Sequence, residues 1–396
     1  MRVLKSLRGI ELLRRLSAQA STSGNALAEE LGVTRAAIWQ QVERLRLMGV
    51  EVLADEEGYR LKYPFTPLVA ESIEAAAGPS VRVSLVESTD STNDDMLGWL
   101  SAGESVHHRL LIAEFQRHGR GRRGGNWLAA PGSAISMSFG VGFLQTPPDL
   151  ACVGLVGALA VRRAVIAVTG RTPQVKWPND LMLNGAKLGG ILTEMRGELN
   201  GACVLVIGIG INCLPLPDAE VRLGRAVASL ADAEPEHGRS VRDIPKRQPI
   251  DRNLLAGTIA RTLAEMLAGL TADGFGSFLT EWRRADALRG QSVRVTTEPP
   301  LTNSGLSGPS GFEVADQNKS PAIATEPDFS KHGDPRENRS DKVPCARWPD
   351  GKGVRMPGGG VQGEVLGVAA DGGLRLLTEE GPRTLYSGHV VLLESG

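Results

Sequence analysis

Nine of the 23 prolines in this 396-residue chain fall between Thr297 and Pro357. That clustering limits the possible folds more than any other feature. Proline fixes φ and removes a backbone donor, so neither a helix nor a central strand runs through such a stretch. The segment also carries almost no periodic apolar pattern, and so little burial to offset chain entropy. It predicts a disordered insertion at 297–357, with the folded architecture built from what lies on either side. At roughly 100–200 residues per domain, the chain length predicts two or three domains.

Hydrophobic residues make up 41% of the chain and charged residues 22%, a globular balance. The 44 Lys+Arg against 45 Asp+Glu give a formal net charge of −1, so any nucleic-acid surface must be local. No apolar run approaches the ~18 residues a membrane span needs, and the first twenty residues carry charges throughout. This predicts neither a secreted nor an integral membrane protein. Cys152, Cys203, Cys213 and Cys345 form no CxxC and have no nearby His pair. Their scatter disfavours a disulfide framework or a structural zinc site and predicts a cytoplasmic protein.

Residues 1–64 read as a winged helix-turn-helix. Ile10, Leu12, Leu13 and Leu16 supply one helical face. Ser23 suits the cap of a second helix ending before Gly32, and Thr34 that of a third carrying Ile38, Val42 and Leu45. Two short strands flanking an acidic turn that ends at Gly58 make the wing. Residues 65–288 alternate strand-like and helical segments, which favours a mixed sheet of α+β type. The helices expected there cover about 150–168 and 252–270, and the run Val204-Leu205-Val206-Ile207 predicts a strand buried on both faces. Residues 289–396 predict a small β-barrel interrupted by the insertion, its turns at Asp371-Gly372-Gly373 and Glu380-Gly381-Pro382.

Four motifs carry chemistry. Gly119-Arg120-Gly121-Arg122-Arg123-Gly124 lets backbone N–H groups curl toward an anion, while its arginines add forked donors. It suits a phosphate, or a phosphate joined to a carboxylate; a solvated basic loop or nucleic-acid contact is the plainer reading. Trp127 beside it either stacks on a base or anchors the loop. Lys176-Trp177-Pro178-Asn179-Asp180 and Lys187 form the second cluster. There Asp180 suits Mg²⁺ and Lys187 suits a phosphoryl or carboxylate oxygen, against an Asx-turn and a surface lysine. Gly208-Ile209-Gly210-Ile211-Asn212 permits close approach of a ligand or a neighbouring strand and is not a dinucleotide fingerprint. Asp90-Ser91-Thr92-Asn93 offers short polar side chains for a group such as a ureido, or simply caps a helix. No Ser-His-Asp or Cys-His set assembles, which points to chemistry by positioning and charge neutralisation.

In this order and spacing, STN, GRGRRGGNW, KWPNDLMLNGAKLGGIL and GIGIN resemble the biotin–protein ligase family over about residues 5–296 and 361–393. With the winged helix in front, the likeness is to the family's bifunctional bacterial form. The resemblance implies a class II synthetase-like catalytic domain and an SH3-like C-terminal barrel. It implies activation of biotin with ATP and Mg²⁺ to biotinyl-5′-AMP, then transfer to a lysine of the biotin carboxyl carrier protein of acetyl-CoA carboxylase. By position, Ser91, Thr92, Asn93 and Gln116 line the biotin pocket. Arg120, Gly121 and Arg122 close over biotin and the adenylate phosphate, and Lys187 contacts the activated carboxyl. Trp127, Asn179 and Asp180 resemble nucleotide and Mg²⁺ positions. It also implies that biotinyl-AMP promotes a homodimer whose two winged helices bind a two-fold operator.

Two departures stand out. The insertion interrupts a place the family usually joins by a short turn, which puts ATP contacts from the barrel in doubt. Val227 stands where relatives often carry a Trp over the adenine, implying a weaker hold on the adenylate. Residues 1–62 hold ten Lys+Arg and eight Asp+Glu, a modest excess for a DNA reader. Even so, Arg35, Gln40, Gln41, Arg44 and Arg46 on the third helix suit base edges and phosphates; a protein-interaction or relic domain is the alternative. A biotin-sensing transcription factor without ligase activity and a lipoate–protein ligase are the competing functions.

Overall fold

The structure is a computed structural model and describes residues 9–198, 201–232, 250–296 and 360–393. The insertion expected at 297–357 lies outside the described residues. Near the N-terminus, Ser23 Oγ accepts from Ala26 N at 3.1 Å and Thr34 Oγ1 from Ala37 N at 3.2 Å. These caps start the helices Gly24–Glu30 and Arg35–Leu47. Gly32, at a φ of +61°, makes the turn between them. Strands β1 (Val52–Asp55) and β2 (Gly58–Leu61) pair antiparallel as the wing. Leu12, Leu13, Leu27, Ile38, Val42 and Leu45 close a separate small core with Val52 and Leu61.

The central sheet has seven strands. They are β3 (Arg82–Thr89), β4 (Arg109–Gln116), β7 (Ala134–Phe143), β8 (Gln174–Lys176), β9 (Asp180–Leu183), β10 (Ala186–Gly197) and β11 (Cys203–Asn212). A separate two-strand hairpin, β5 (Gly119–Arg120) and β6 (Asn126–Trp127), lies between β4 and β7 in the chain. The spatial order is β3-β4-β7-β11-β10-β9-β8, with β3 and β4 parallel and the other neighbours antiparallel. Alternation along each strand sends side chains to two different cores. Leu110 and Ile112 enter the main core, which also holds residues of the helices Ala70–Ala77, Val153–Thr169 and Arg252–Asp273. Leu111 and Val206 instead meet Met96 and Leu97 of the Thr92–Ser101 helix. A strand clothed on both sides reads as a continuous apolar run, which explains residues 204–207.

One sequence expectation needs correcting. Leu150–Thr169 and Arg252–Asp273 are both long and apolar enough to cross a membrane by length and composition alone. The larger part of each apolar window, 61% and 56%, is buried inside the protein, so these are core helices that are apolar on several faces.

The C-terminal unit is a five-stranded antiparallel sheet of β12 (Ser292–Thr296), β13 (Val361–Val368), β14 (Leu374–Thr378), β15 (Gly381–Leu385) and β16 (His389–Leu392). Its order is β15-β14-β13-β12-β16. The strands on either side of the insertion are therefore direct neighbours, in register from Ser292↔Glu364 to Val295↔Val361. The indole of Trp177 ties this unit to the central one by donating to the Gly372 carbonyl at 3.0 Å.

Candidate active site and DNA-binding face

The glycine-rich loop grows out of the β5–β6 hairpin. Gly121 N donates to Gly125 O at 2.6 Å and Gly125 N to Arg122 O at 3.0 Å, curling 121–125 into a tight ring. Arg123 sits at a φ of +53° and Gly124 at +74°. The loop's base is anchored through Trp127, whose Nε1 donates to Ser136 Oγ at 3.1 Å. Its ring lies so close over Gly210 that a Cβ there would fall 2.6 Å from the indole. Trp127 thus holds the loop against the sheet. Gly208 likewise makes room for Asn93, so the glycines of GIGIN admit neighbouring side chains. Asn212 Nδ2 donates to Ala228 O at 3.0 Å.

Ser91 caps the Thr92–Ser101 helix, its Oγ accepting from Asp94 N at 3.3 Å. Thr92 and Asn93 are buried beside it. Gln116 Oε1 accepts from Thr92 N at 2.8 Å and from Thr92 Oγ1 at 3.0 Å. Ser138, which sequence reasoning did not single out, joins them by donating to Asn93 Oδ1 at 2.5 Å. A small, buried and densely bonded polar cluster results.

The cations converge on the adjoining end of the sheet. Arg122 Nη1 donates to Asn179 Oδ1 at 3.3 Å, and Asn179 Nδ2 donates to Ile191 O at 2.6 Å. Lys187 Nζ donates to Asp180 Oδ1. Burial pushes the Lys187 ammonium below the ordinary lysine range, with the Asp180 charge opposing and Arg225 adding to the effect. Lys176 is lowered in the same way, again by burial first. Arg120 bonds Asp94 and Glu194; burial works against its charge, but these carboxylates win and hold its pKa above the ordinary value. The structure thus brings Arg120, Gly121, Arg122, Asn179, Asp180 and Lys187 together beside Ser91, Thr92, Asn93 and Gln116, with Trp127 beneath the loop.

Several participants escaped sequence reasoning. The 224–228 segment lies along β10, with Lys187 N donating to Ala226 O at 3.2 Å and Ala228 N to Lys187 O at 2.9 Å. This brings Arg225 close enough to depress Lys176 and Lys187. His389, on the C-terminal sheet, is lowered by burial and then by Lys176, while Asp180 opposes. Residues so far apart in sequence leave no spacing signal. Val227 lines a cavity of about 360 Å³ together with Leu214, Leu216 and Asp232.

On the Arg35–Leu47 helix, Arg35, Gln40 and Arg44 are exposed. So is Trp39, at 57%. Gln41 points inward and is 7% exposed. Arg46 is occupied, its Nε and Nη2 donating to Val52 O at 3.0 and 2.8 Å and its Nη1 to Glu43 at 2.7 Å. Helical periodicity explains the split, because Gln41 lies within one turn of Ile38, Val42 and Leu45, on the flank of the buried stripe.

Three family models match. Residues 85–212 match the biotin/lipoate A/B protein ligase family, residues 8–60 an HTH domain, and residues 351–393 the biotin protein ligase C-terminal domain. The bifunctional ligase/repressor BirA of Escherichia coli is 30% identical over 276 residues, 69% of this chain and 80% of the relative. The biotin–[acetyl-CoA-carboxylase] ligase of Mycobacterium tuberculosis is 33% identical over 162 residues, 40% of this chain and 59% of the relative. Among solved structures, the biotin protein ligase from Aquifex aeolicus in complex with biotin and ATP shares the fold. Its TM-score is 0.52 at 20% identity, covering 79% of this chain and 99% of that one. With an N-terminal helix-turn-helix match ahead of the ligase match, and a relative 30% identical that is covered over 80% of its length, the chain belongs to the biotin–protein ligase family.

Proposed function

We propose that this chain joins biotin to ATP, forming biotinyl-5′-AMP and pyrophosphate. It then passes the biotinyl group to a lysine of the biotin carboxyl carrier protein of acetyl-CoA carboxylase. One observation carries the reading: Arg120, Arg122 and Lys187, from two distant stretches of sequence, meet beside the Thr92–Asn93 pocket. Biotin's carboxylate and the α-phosphate of ATP are both anions, and fixed cations lower the repulsion between them as the mixed anhydride forms. Ser91, Thr92, Asn93 and Gln116 hold the ureido ring, while Arg120, Gly121 and Arg122 cover the carboxyl and phosphate. Lys187 neutralises the oxygen in transit, and Trp127, Asn179 and Asp180 belong to the nucleotide side. Among the described residues no cluster of three metal-ligating side chains exists. Mg²⁺ carried by phosphate oxygens needs only one or two protein carboxylates, and Asp180 supplies one. The metal would offset phosphate charge.

The same intermediate serves as corepressor in this reading. Loaded with biotinyl-AMP, the chain forms a homodimer whose Arg35, Gln40 and Arg44 helices address operator DNA in the bacterial cytoplasm. The decisive experiment measures pyrophosphate release from ATP with biotin, lipoate or neither. Release with biotin alone supports the ligase reading. Release with lipoate alone overturns its substrate, and no release leaves a ligand-sensing repressor.

A further inference from the structure

We infer that Glu194 is a positioning residue for Arg120, tying the Thr92–Asn93 pocket to the glycine-rich loop. The inference deepens the ligase reading and rests on it for its catalytic consequence. Glu194 Oε2 accepts two hydrogen bonds at once, from Arg120 Nη2 at 2.7 Å and from Asn93 Nδ2 at 2.8 Å. Asn93 is itself fixed. It is 4% exposed, packs against Gly208, and its Oδ1 accepts from Ser138 Oγ at 2.5 Å. Ser138 Oγ also lies 2.7 Å from Thr92 Oγ1, which donates to Gln116 at 3.0 Å. A continuous polar chain therefore runs from Gln116 and Thr92, through Ser138 and Asn93, to Glu194 and the loop arginine.

Arg120 uses a single nitrogen for its carboxylate partners. Nη2 serves both Glu194 and Asp94, and among the described residues Nε and Nη1 make no bond. Pinning one corner of the planar guanidinium leaves its other donors aimed as a rigid fork, which suits a carboxylate or phosphate arriving beside it. The two anchors are not equivalent. Glu194 is 21% exposed and backed by Asn93, whereas Asp94 is 53% exposed. Water competes more strongly for the second. A ligand that reaches Asn93 in the pocket thus acts on the same carboxylate oxygen that sets the pose of Arg120.

The test compares the full-length protein with its E194Q, E194D and D94N variants, alone and in an R120A background. The readouts are KM for biotin, KM for ATP, the dissociation rate of biotinyl-AMP, and tryptic cleavage of the 119–125 loop without ligand. From the strength of a charge-assisted hydrogen bond, E194Q is expected to raise the biotin KM and adenylate dissociation roughly tenfold. ATP KM and thermal midpoint should move little, loop cleavage should speed up, E194D should recover part of the loss, and D94N should have the smaller effect. In the R120A background the E194Q effect should vanish. Unchanged dissociation and cleavage in E194Q, or the same loss with Arg120 absent, would overturn the assignment. Faster loop cleavage in E194Q, in a protein that releases no pyrophosphate with biotin, would keep the positioning role and sink the ligase reading instead.

Discussion

Glu114 and Arg252 form an ion pair in which both side chains are almost wholly enclosed, at 2% and 3% exposure. They pin the segment that leaves the winged helix. Arg252 Nη2 donates to Thr66 O at 2.6 Å and Nη1 to Ala134 O at 3.2 Å, while Leu68 N donates to Glu114 Oε2 at 3.0 Å. Asn253 grips the same segment, accepting from Val69 N at 2.8 Å and donating to Pro67 O at 3.0 Å. The winged helix also rests directly on the ligase unit, since a Cβ at Gly49 would meet Leu216 and Ala130.

Removing one partner strands a buried charge. E114A or R252A should each cost about 3–5 kcal/mol in urea unfolding, the usual penalty for breaking a buried pair. The double variant E114L/R252M should cost less than the sum, because neither charge is then left unpaired. Some loss will persist, as the Thr66 and Ala134 carbonyls lose their donor. Additive losses would show that the two side chains act independently.

The strands β12 and β13 are direct antiparallel neighbours, so a hairpin loop of about 2–5 residues is long enough to join them. Replacing 297–359 by such a turn should leave biotin-dependent pyrophosphate release largely intact and the protein soluble. Loss of either would mean that the segment contributes to folding or to the site.

Much of this architecture was legible from local chemistry. The Ser23 and Thr34 caps, the Gly32 turn and the apolar stripe of the third helix act within a few residues, so the pattern reports them directly. The curl of the glycine-rich loop and the Ser91 cap were legible for the same reason. What stayed hidden is set by tertiary packing. Trp177 stands in the middle of a motif that reads as ligand-binding, yet it is 2% exposed and bonds the C-terminal sheet. Ser138, Glu194 and Arg225 join the site only because strands and loops remote in sequence are neighbours in the sheet. By residue type alone, Gln41 and Arg46 suit a DNA-facing surface. Only the packed helix shows one turned inward and the other spent on Val52.

That geometry separates the roles on the Arg35–Leu47 helix. R44A should weaken operator binding across sequences and reduce the salt-dependence slope by about one, as expected for one lost phosphate contact. Q40A should instead relax discrimination between operator variants. R46A should lower thermal stability, because the wing carbonyl of Val52 loses its two donors. Electrophoretic mobility shifts at several salt concentrations check the first two. An R46A protein with full stability and a lost salt slope would return Arg46 to the DNA face.

Arg122 lies inside the curled loop, with Nη1 on Asn179 Oδ1 at 3.3 Å. That bond to the Asn179 turn suits it to clamp the adenylate once it has formed. In R122G the backbone ring of 121–125 loses its side-chain tie to the Asn179 turn, while Arg120 and Lys187 remain to neutralise the reacting oxygens. Synthesis should therefore continue while retention fails. A hydrogen bond to a charged group contributes about 1.5–3 kcal/mol, and 1.4 kcal/mol already speeds release about tenfold if dissociation takes the whole effect. Released biotinyl-AMP is a mixed anhydride that acylates exposed lysines on any protein it meets. Incubating R122G with biotin, ATP and an unrelated protein should therefore biotinylate that protein, and the unaltered chain should not. If pyrophosphate release stops, Arg122 belongs to the chemistry itself. If release continues and only the carrier protein is labelled, the adenylate is retained by other groups in the loop.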